Sequence, residues 1–289
     1  MSELIAANVT KKYGKKTILD DLTVKFEQGH SYGLLGRNGA GKSTLINIIM
    51  QRCKRESGAI MLDGQLMDNN DKLMSRLFCM NDSTLYPSNF RVKTIFSITD
   101  SMYDRFDMEY AVNTADMFGL DLKKRLKQLS TGYNTIYKVI LALASNADFV
   151  FLDEPVLGID VNQRELFYKT LARKMADGTS CFIISTHIIE EIQNLIDRTM
   201  ILHGGKILLD GDTETLVSRY AAVSGKAETV DAFTSGKNII CTESMGVFKK
   251  AVFEAEDFSE NDVPEGLSLD TVNLQQLFYY LTGGAPEEK

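Results

Sequence analysis

A glycine-rich loop between a short apolar run and an amphipathic segment constrains the fold of this chain more than any other feature. The loop reads Gly36-Arg37-Asn38-Gly39-Ala40-Gly41-Lys42-Ser43-Thr44 and fits the pattern G-x-x-x-x-G-K-[ST]. Residues 31–35 before it have the pattern of a short buried strand, and the apolar residues of 43–50 recur at helical spacing. Strand, loop and helix in this order predict the opening of a parallel βαβ sheet.

The residue types in this loop suit phosphate binding. The glycines allow successive backbone N–H groups to wrap around phosphate oxygens, and the N-terminus of the following helix adds partial positive charge. Lys42 supplies a full positive charge, and the Ser43 hydroxyl is suited to ligate Mg²⁺. The alternative is a glycine-rich turn that fits by accident, which happens in roughly one chain of this length in a hundred before the flanking strand and helix are required.

A second chemical signal is an acidic pair at the end of a hydrophobic run. Residues 149–152 are apolar and are followed by Asp153 and Glu154. A buried strand accepts charges at its end or where they meet a cation. We expect Asp153 to hold Mg²⁺, directly or through water, and Glu154 to polarise or orient the water that attacks a γ-phosphate. Without the phosphate loop upstream, a solvated loop start would be the commoner interpretation.

The remaining patterns predict an α/β fold with additions at both ends. Residues 3–27 alternate in the manner of strands, with a turn at 11–16, and residues 92–145 have a helical pattern. Continuous apolar runs at 149–152 and 181–184 predict strands covered on both faces, and 164–175 predicts the crossover helix between them. Beyond residue 221, short strand-like pieces, an acidic stretch at 254–262 and a last helix indicate a small appendage.

Composition and charge exclude several classes of protein. The chain has 289 residues, and none of its apolar runs approaches the roughly 18 residues that a membrane-spanning helix needs. A net charge of -7 argues against a nucleic-acid partner. The first five residues lack the pattern of a secretory signal, which predicts a cytoplasmic chain. Without CxxC or Cys/His spacing for zinc, reduced thiols are expected at Cys53, Cys79, Cys181 and Cys241.

Five motifs in a specific order make the sequence resemble the ATP-binding subunits of ABC transporters over about residues 3–217. They are the phosphate loop (Walker A), the signature Leu129-Ser130-Thr131-Gly132-Tyr133, the strand 149–153 with Glu154 (Walker B), a D-loop ending in Asp160, and His187. The resemblance implies an α/β, P-loop NTPase fold of the ABC type. Such a fold has a mainly parallel core sheet, an N-terminal antiparallel β subdomain and a helical insert, here at about 88–145. The ATPase domain is then 1–220, and the C-terminal appendage is 221–289.

The resemblance also implies roles for individual residues. Glu154 and His187 would be catalytic, and Tyr13 would stack on adenine. The signature residues Ser130 and Gly132, together with Asp160, would contact nucleotide in a head-to-tail dimer that encloses two ATP molecules. The loop residues predicted to bind nucleotide are Gly36, Asn38, Gly39, Ala40, Gly41, Lys42, Ser43 and Thr44. Those predicted to hold Mg²⁺ are Ser43, Asp153 and Asn81.

Simpler interpretations compete at three of these positions. Ser130 or Thr131 reads equally as the N-cap of a helix over 133–144, and the two roles are compatible. A lone histidine is more often structural, and only its place after a strand favours catalysis for His187. Tyr13 could pack in an edge strand instead of stacking on a base, although stacking is favoured because any base offers a π-face.

The sequence departs from the family pattern at three motifs. Glutamine usually precedes a Leu-Tyr-Pro-like segment, whereas here Asn81 precedes Leu85-Tyr86-Pro87. Asparagine keeps the amide but loses one methylene of reach, so we expect a weaker contact with Mg²⁺ or with water. In the signature, Thr131 and Tyr133 stand where glycine and glutamine are commoner, and the D-loop reads Gly158-Ile159-Asp160. Neither of these departures removes a required charge or hydroxyl.

The function implied by the resemblance is that of an ATP-binding and ATP-hydrolysing subunit. It would pair with itself or with a homologous ATPase subunit, and power an integral membrane permease carried on a separate chain. Segment 184–191, the hairpin at 204–206 and the last helix look most like the subfamily that serves two-chain exporters. This implies export, and a peripheral position on the cytoplasmic face of the membrane.

Two other functions were weighed against transport. A soluble ABC ATPase acting on ribosomes or DNA is disfavoured, because the chain has one Walker A motif and no sustained heptads. A regulatory subunit that binds ATP without turnover is disfavoured, because both Glu154 and His187 are present.

Overall fold

The computed structural model describes residues 2–83, 86–255 and 263–283. Leu85 of the Leu-Tyr-Pro segment and residues 256–262 of the acidic stretch lie outside this part of the chain. The elements up to residue 144 are β1 (Glu3–Tyr13), β2 (Lys16–Glu27), β3 (Ser31–Leu35), α1 (Lys42–Ile49), β4 (Ser57–Leu62), β5 (Gln65–Leu66), α2 (Asp71–Met74), β6 (Leu77–Met80), α3 (Val92–Met102), α4 (Met108–Met117) and α5 (Thr131–Ala144). The later elements are β7 (Phe149–Asp153), α6 (Val161–Ala176), β8 (Cys181–Thr186), α7 (Ile189–Ile192), β9 (Arg198–His203), β10 (Lys206–Asp212), α8 (Thr213–Ser218), β11 (Tyr220–Lys226), α9 (Ala227–Thr234), β12 (Ile239–Met245), β13 (Phe248–Glu254), β14 (Ser268–Thr271) and α10 (Leu274–Thr282).

The N-terminal strands form an antiparallel sheet in the order β2-β1-β4-β5. Along β2 the residues Leu22, Val24 and Phe26 are buried and alternate with exposed ones, as expected for a strand with one covered face. Phe26 makes an edge-to-face contact with Phe151 of β7, at 5.8 Å between ring centroids. The antiparallel sheet therefore packs against the central sheet.

The central sheet has the strand order β10-β9-β3-β8-β7-β6. Its members from β9 to β6 run parallel, and only the β9–β10 pair is antiparallel. The register places Leu35 beside Thr186 and Asp153 beside Ser185. Because parallel strands end at one edge of a sheet, the residues that follow β3, β7 and β8 leave the sheet close together, where ligands bind in open α/β sheets.

A helical insert lies between β6 and β7. Its helices α3, α4 and α5 share one buried cluster, to which Ile95, Phe96 and Ile140 contribute. The carboxylate of Asp148, at the end of the insert, is buried and accepts hydrogen bonds from Arg76 and Arg105. The predicted α/β fold with a parallel core sheet, an antiparallel β subdomain and a helical insert is thus confirmed. Within the described residues, no helix is both long and apolar enough to cross a membrane.

The C-terminal residues form an antiparallel sheet in the order β12-β13-β11-β14, between two helices. One face of β11 packs with Val230 of α9, and the other face packs with Leu277 and Tyr280 of α10. The first strand begins at Tyr220, one residue before the predicted start of the appendage. What the sequence indicated as short strand-like pieces is therefore a packed αβ unit with its own buried residues.

The burial of the cysteines predicts a graded reactivity toward iodoacetamide. All four thiols are free; Cys79 and Cys181 are buried, and Cys53 and Cys241 are partly exposed. Burial raises the pKa of the Cys79 thiol to about 11 and that of Cys181 well above its ordinary value. Thiolate is the reactive form, so at pH 8 we expect Cys53 to be alkylated on the order of 10-fold or more faster than Cys79 and Cys181.

Peptide mass spectrometry after timed labelling measures these rates. The control is labelling in urea, where all four cysteines should react at similar rates. Similar rates for the folded protein would contradict the packing described above.

Candidate nucleotide site

The phosphate loop joins the end of β3 to the start of α1. A Cβ atom at Gly36 would lie 2.7 Å from the carbonyl oxygen of Leu202, so the backbone passes too close to β9 for a side chain. Gly41 has φ 114°, and a Cβ there would lie 2.8 Å from the Leu19 side chain. Gly39 also has positive φ, at 81°. The loop conformation therefore depends on its glycines.

The N-terminus of α1 is open to a ligand. Its N-cap residue, Gly41, has no side chain with which to cap the helix, and the first turn has no acidic residue. The first N–H groups of a helix have no partner within the helix, so they are available to an anion. Ser43 is exposed at this end and Thr44 is half-buried. Asn38 and Gly39 are exposed in the loop, and Ala40 is half-buried and donates its N–H to the Arg37 carbonyl oxygen at 3.0 Å.

Lys42 places a buried cation at the same point. Its side chain donates a hydrogen bond to the carbonyl oxygen of Gly36, and the residue is only 7% exposed. Burial lowers the pKa of the ammonium, while the nearby carboxylates of Glu154 and Asp153 raise it. The fold thus brings Lys42 close to Asp153 and Glu154, although the whole helical insert lies between the lysine and the acidic pair in the sequence.

Asp153 ends β7 with a carboxylate that has unused hydrogen-bonding capacity. Its Oδ1 is buried and has no hydrogen-bond partner among the described residues, and the same is true of the neighbouring Ser185 Oγ. Burial raises the pKa of Asp153, whereas Ser43, Ser185 and Lys42 act in the opposite direction. A buried carboxylate oxygen without a donor is suited to a cation, and Mg²⁺ prefers oxygen ligands. The residues present therefore fit a magnesium ion.

Glu154 leaves the strand in an unusual backbone conformation. Its φ is 51°, in the left-handed region that residues with a side chain seldom adopt. The backbone is held there by a hydrogen bond from its N–H to the Ser185 carbonyl oxygen at 2.8 Å. Such outliers occur where the surrounding structure enforces them, often at functional sites.

The Glu154 carboxylate is held by two groups from the end of β8. Nδ1 of His187 lies 2.9 Å from Oε2 and 3.0 Å from Oε1. The buried Thr186 hydroxyl donates to Oε2 at 3.3 Å. The His187 side chain remains 56% exposed, so its ring has an open side toward solvent. The structure therefore brings together both residues predicted to be catalytic, and it adds Thr186, for which the sequence carried no signal beyond its place beside His187.

Asn81 follows β6, whose last residue, Met80, pairs with Leu152 of β7. The Asn81 side-chain oxygen accepts a hydrogen bond from the Ser83 N–H at 3.2 Å, and the residue is buried. Its amide oxygen is therefore already engaged within its own loop. A role in metal binding stays a prediction for Asn81.

A lysine that the sequence did not single out holds the Asn81 loop. Lys138 of α5 donates to the carbonyl oxygens of Asn81 at 3.0 Å and Asp82 at 2.7 Å. Burial lowers the pKa of this ammonium, and Asp82 raises it. The only sequence signal was a single lysine within the apolar helix 131–144. This contact ties the helical insert to the loop after β6.

The signature and the D-loop pack against each other. Ser130 is exposed and caps α5, since its hydroxyl accepts a hydrogen bond from Tyr133 N–H at 3.3 Å. A Cβ at Gly132 would lie 2.7 Å from the Gly158 carbonyl oxygen, and Thr135 Oγ1 donates to Leu157 at 2.8 Å. No hydrogen bond joins residues 130–132 to the phosphate loop within the described chain, so these two parts of the predicted site are not assembled by one copy.

Asp160 and Tyr13 have local contacts as well. The Asp160 carboxylate caps α6 by accepting from Gln163 N–H at 3.0 Å. Tyr13 ends β1 and pairs with Lys16, and its ring is 56% exposed. Its hydroxyl lies 3.4 Å from Cys53 Sγ, and the Lys11 ammonium lies 4.9 Å from the ring centre. The exposed ring at the end of this hairpin leaves room for a stacked base, while its adenine role stays a prediction.

Comparison with known proteins agrees with this geometry. Residues 19–157, which include the phosphate loop, the signature and the acidic pair, match the model of the ABC transporter family. Residues 19–157 are an ABC transporter domain. The chain is accordingly an ATP-binding protein with ATPase activity, as the motifs predicted.

Named relatives differ in how much of this chain their similarity covers. The ABC transporter ATP-binding protein YtrB of Bacillus subtilis is 26% identical over 282 residues, covering 96% of this chain and 97% of the relative. The bacitracin transport ATP-binding protein BcrA of Bacillus licheniformis is 29% identical, covering 72% and 69%. The Nod factor export ATP-binding protein I of Rhizobium johnstonii is 28% identical, covering 73% and 70%.

Solved structures agree on the fold. An ATP-binding subunit of an ABC transporter superposes with a TM-score of 0.68 at 22% identity, covering 74% of this chain and 92% of the other. An ATP-binding cassette of an ABC transporter in its ADP conformation gives a TM-score of 0.61 at 20% identity, with the same coverage.

The buried ammonium of Lys42 predicts a large loss of nucleotide affinity in Lys42→Ala. A hydrogen bond to a charged group contributes about 1.5–3 kcal/mol, so we expect ATP to bind roughly 10- to 100-fold more weakly. Isothermal titration calorimetry measures this. The control is Lys93→Ala, which removes an exposed lysine on α3 and should leave affinity unchanged. Equal affinity of Lys42→Ala and the wild type would exclude Lys42 as a phosphate ligand.

Proposed function

We propose that this chain binds Mg-ATP on its phosphate loop and pairs head to tail with a second ATPase subunit, either its own copy or a homologous chain. Hydrolysis then drives an integral membrane permease on a separate chain, in the direction of export. The observation that carries this proposal is the joint placement of Lys42, Asp153, Glu154 and His187 at the ends of β3, β7 and β8. This edge of the sheet combines a phosphate ligand with a carboxylate held for proton transfer.

The loop supplies the binding half of the site. The glycine backbone, the uncapped start of α1 and Lys42 together offer N–H groups and positive charge to the β- and γ-phosphates. Ser43 and Asp153 are the residues that would hold Mg²⁺, with Asn81 as a further candidate. When bound, the ion neutralises the negative charge of the phosphates during transfer.

Glu154 supplies the hydrolytic half. A water oxygen attacks the γ-phosphorus, the bond to the β–γ bridging oxygen breaks, and ADP leaves with the electron pair of that bond. The Glu154 carboxylate orients the water and takes up its proton. Thr186 and His187 hold the carboxylate in place from the neighbouring strand, and the open side of His187 can reach the γ-phosphate.

A second subunit is needed to complete the site. Ser130 and Thr131 at the start of α5 are exposed, and within the described chain no hydrogen bond joins them to the phosphate loop. The D-loop next to them carries Leu157, and Val161 begins α6; these residues are 55% and 79% exposed. Exposed apolar residues beside the start of this helix suit a dimer interface closed by the ATP of the partner.

The transport partner and the direction rest on named relatives. Proteins of the same family with 28–29% identity are described as a Nod factor export subunit and a bacitracin transport subunit. By analogy, we expect this chain to sit on the cytoplasmic face of a membrane through contact with its permease. The loop that follows β6 is suited to pass motion onward, because Lys138 links it to the signature helix.

Affinity purification of Glu154→Gln in mild detergent tests the partner. With ATP and Mg²⁺ present, loss of the carboxylate should trap the closed dimer with its permease attached. Recovery of a multi-helix membrane protein with the variant, and less of it with Lys42→Ala, is the expected result. Recovery of ribosomes, DNA-bound factors or the dimer alone would contradict the transport role.

The position of Glu154 predicts a separation between binding and turnover. We expect Glu154→Gln to bind ATP within about 3-fold of wild type and to hydrolyse it about 10²- to 10⁴-fold more slowly, since general base catalysis contributes that much. Phosphate release measures turnover. Glu165→Gln, which changes an exposed carboxylate on α6 that pairs with Lys169, should match the wild type. Unchanged turnover in Glu154→Gln would reject its catalytic role.

A further inference from the structure

The C-terminal helix α10 contacts the phosphate loop and packs against α7, the helix that follows His187. At its last turn, the Arg37 guanidinium donates to the carbonyl oxygen of Thr282 at 3.4 Å. Arg37 is the second residue of the phosphate loop, and its own carbonyl oxygen accepts the turn hydrogen bond from Ala40 N–H. The last carbonyl groups of a helix lack intrahelical partners and carry partial negative charge, so a guanidinium there is favourable.

The second contact is apolar and is made with α7. Leu274 and Phe278, one turn apart on α10, are buried in the same cluster as Ile189 and Ile192 of α7. Helix α7 begins two residues after His187. One face of α10 therefore packs against the segment that carries the residue holding Glu154.

The adjacent face of α10 belongs to the C-terminal sheet. Leu277 and Tyr280 are buried with Tyr220 and Ala222 of β11 and with Val252 of β13. The helix start is fixed by a capping box between Asn273 and Gln276, and the helix ends at Gly283 in a left-handed conformation. A rigid helix of defined length is thus held by the C-terminal sheet and reaches both loops at the edge of the central sheet.

We propose that α10 is a positioning element for the nucleotide site, in which Arg37 positions the phosphate loop and Phe278 positions the His187 segment. The C-terminal unit is then part of the ATPase mechanism, and a change in its packing alters both nucleotide affinity and turnover. This inference rests on the proposed roles of the phosphate loop and of His187. It assigns a function to residues 220–255 and 263–283, which lie outside the motifs.

The two contacts predict different kinetic effects. A favourable interaction between a cation and a helix C-terminus changes a binding affinity by about 2- to 5-fold. We therefore expect Arg37→Gln to raise the KM for ATP by that factor and to leave kcat nearly unchanged. Phe278→Leu, chosen because it keeps an apolar side chain, should lower kcat about 2- to 5-fold with less effect on KM. Arg37→Lys should restore part of the affinity. Arg173→Gln, which removes an exposed arginine on α6, is the control.

Hydrogen–deuterium exchange of the full chain tests the connection directly. In the wild type, adding ATP should slow exchange in the last turn of α10. Arg37→Gln should abolish this response even at saturating ATP, and Arg173→Gln should keep it. A merely structural role of α10 would not make its exchange depend on nucleotide.

A double-mutant cycle separates positioning from direct contact with ATP. If Arg37 acts through α10, the effects of Arg37→Gln and Phe278→Leu on kcat/KM for ATP will be non-additive. Additive effects of the two substitutions would overturn the inference. So would unchanged hydrogen–deuterium exchange of α10 when a wild-type chain binds ATP. Failure of the wild type to bind ATP would overturn the proposed function instead.

Discussion

The parallel pairing of β3, β8 and β7 is the constraint on which the nucleotide site depends. In this register the strand ends are level, with Leu35 beside Thr186 and Asp153 beside Ser185. The chain leaves each strand at the same edge, so a glycine loop, an acidic pair and a histidine meet although they are distant in sequence. The attraction between Lys42 and the two carboxylates depends on this shared edge, because charges this buried are tolerated only when they face one another or a ligand.

Several features of the site are unfavourable for stability when taken alone. Burial lowers the pKa of Lys42 and raises that of Asp153, which means that both charged forms are less stable than in water. Glu154 adopts a left-handed backbone conformation, and Asp153 Oδ1 lacks a donor within the described residues. Packing of the large core beneath the site offsets these unfavourable contributions to the free energy of folding. This is expected where strain and desolvation prepare a site for a charged ligand.

Contacts between distant segments link the site to the rest of the molecule. Lys138 joins the signature helix to the loop after β6, and Gly132 packs on the D-loop so closely that no side chain fits. Helix α10 adds a third link, from the C-terminal sheet to the phosphate loop. A movement at the nucleotide therefore has direct routes to the helical insert and to the C-terminal unit, because packed elements shift as bodies rather than deform continuously.

The sequence by itself determined the strand–loop–helix unit around residues 31–49, the acidic strand end and the order of the motifs, because turn chemistry and apolar periodicity are encoded in short windows. It also indicated helices over 92–145 and a change of character near residue 221. Only the tertiary structure decided which distant groups touch. The pairs His187–Glu154, Lys138–Asn81 and Arg37–Thr282 lie 33, 57 and 245 residues apart in the chain. Such contacts follow from strand register and helix packing, which no local pattern specifies, and this is why Thr186, Lys138 and Arg37 gained their roles from the fold alone.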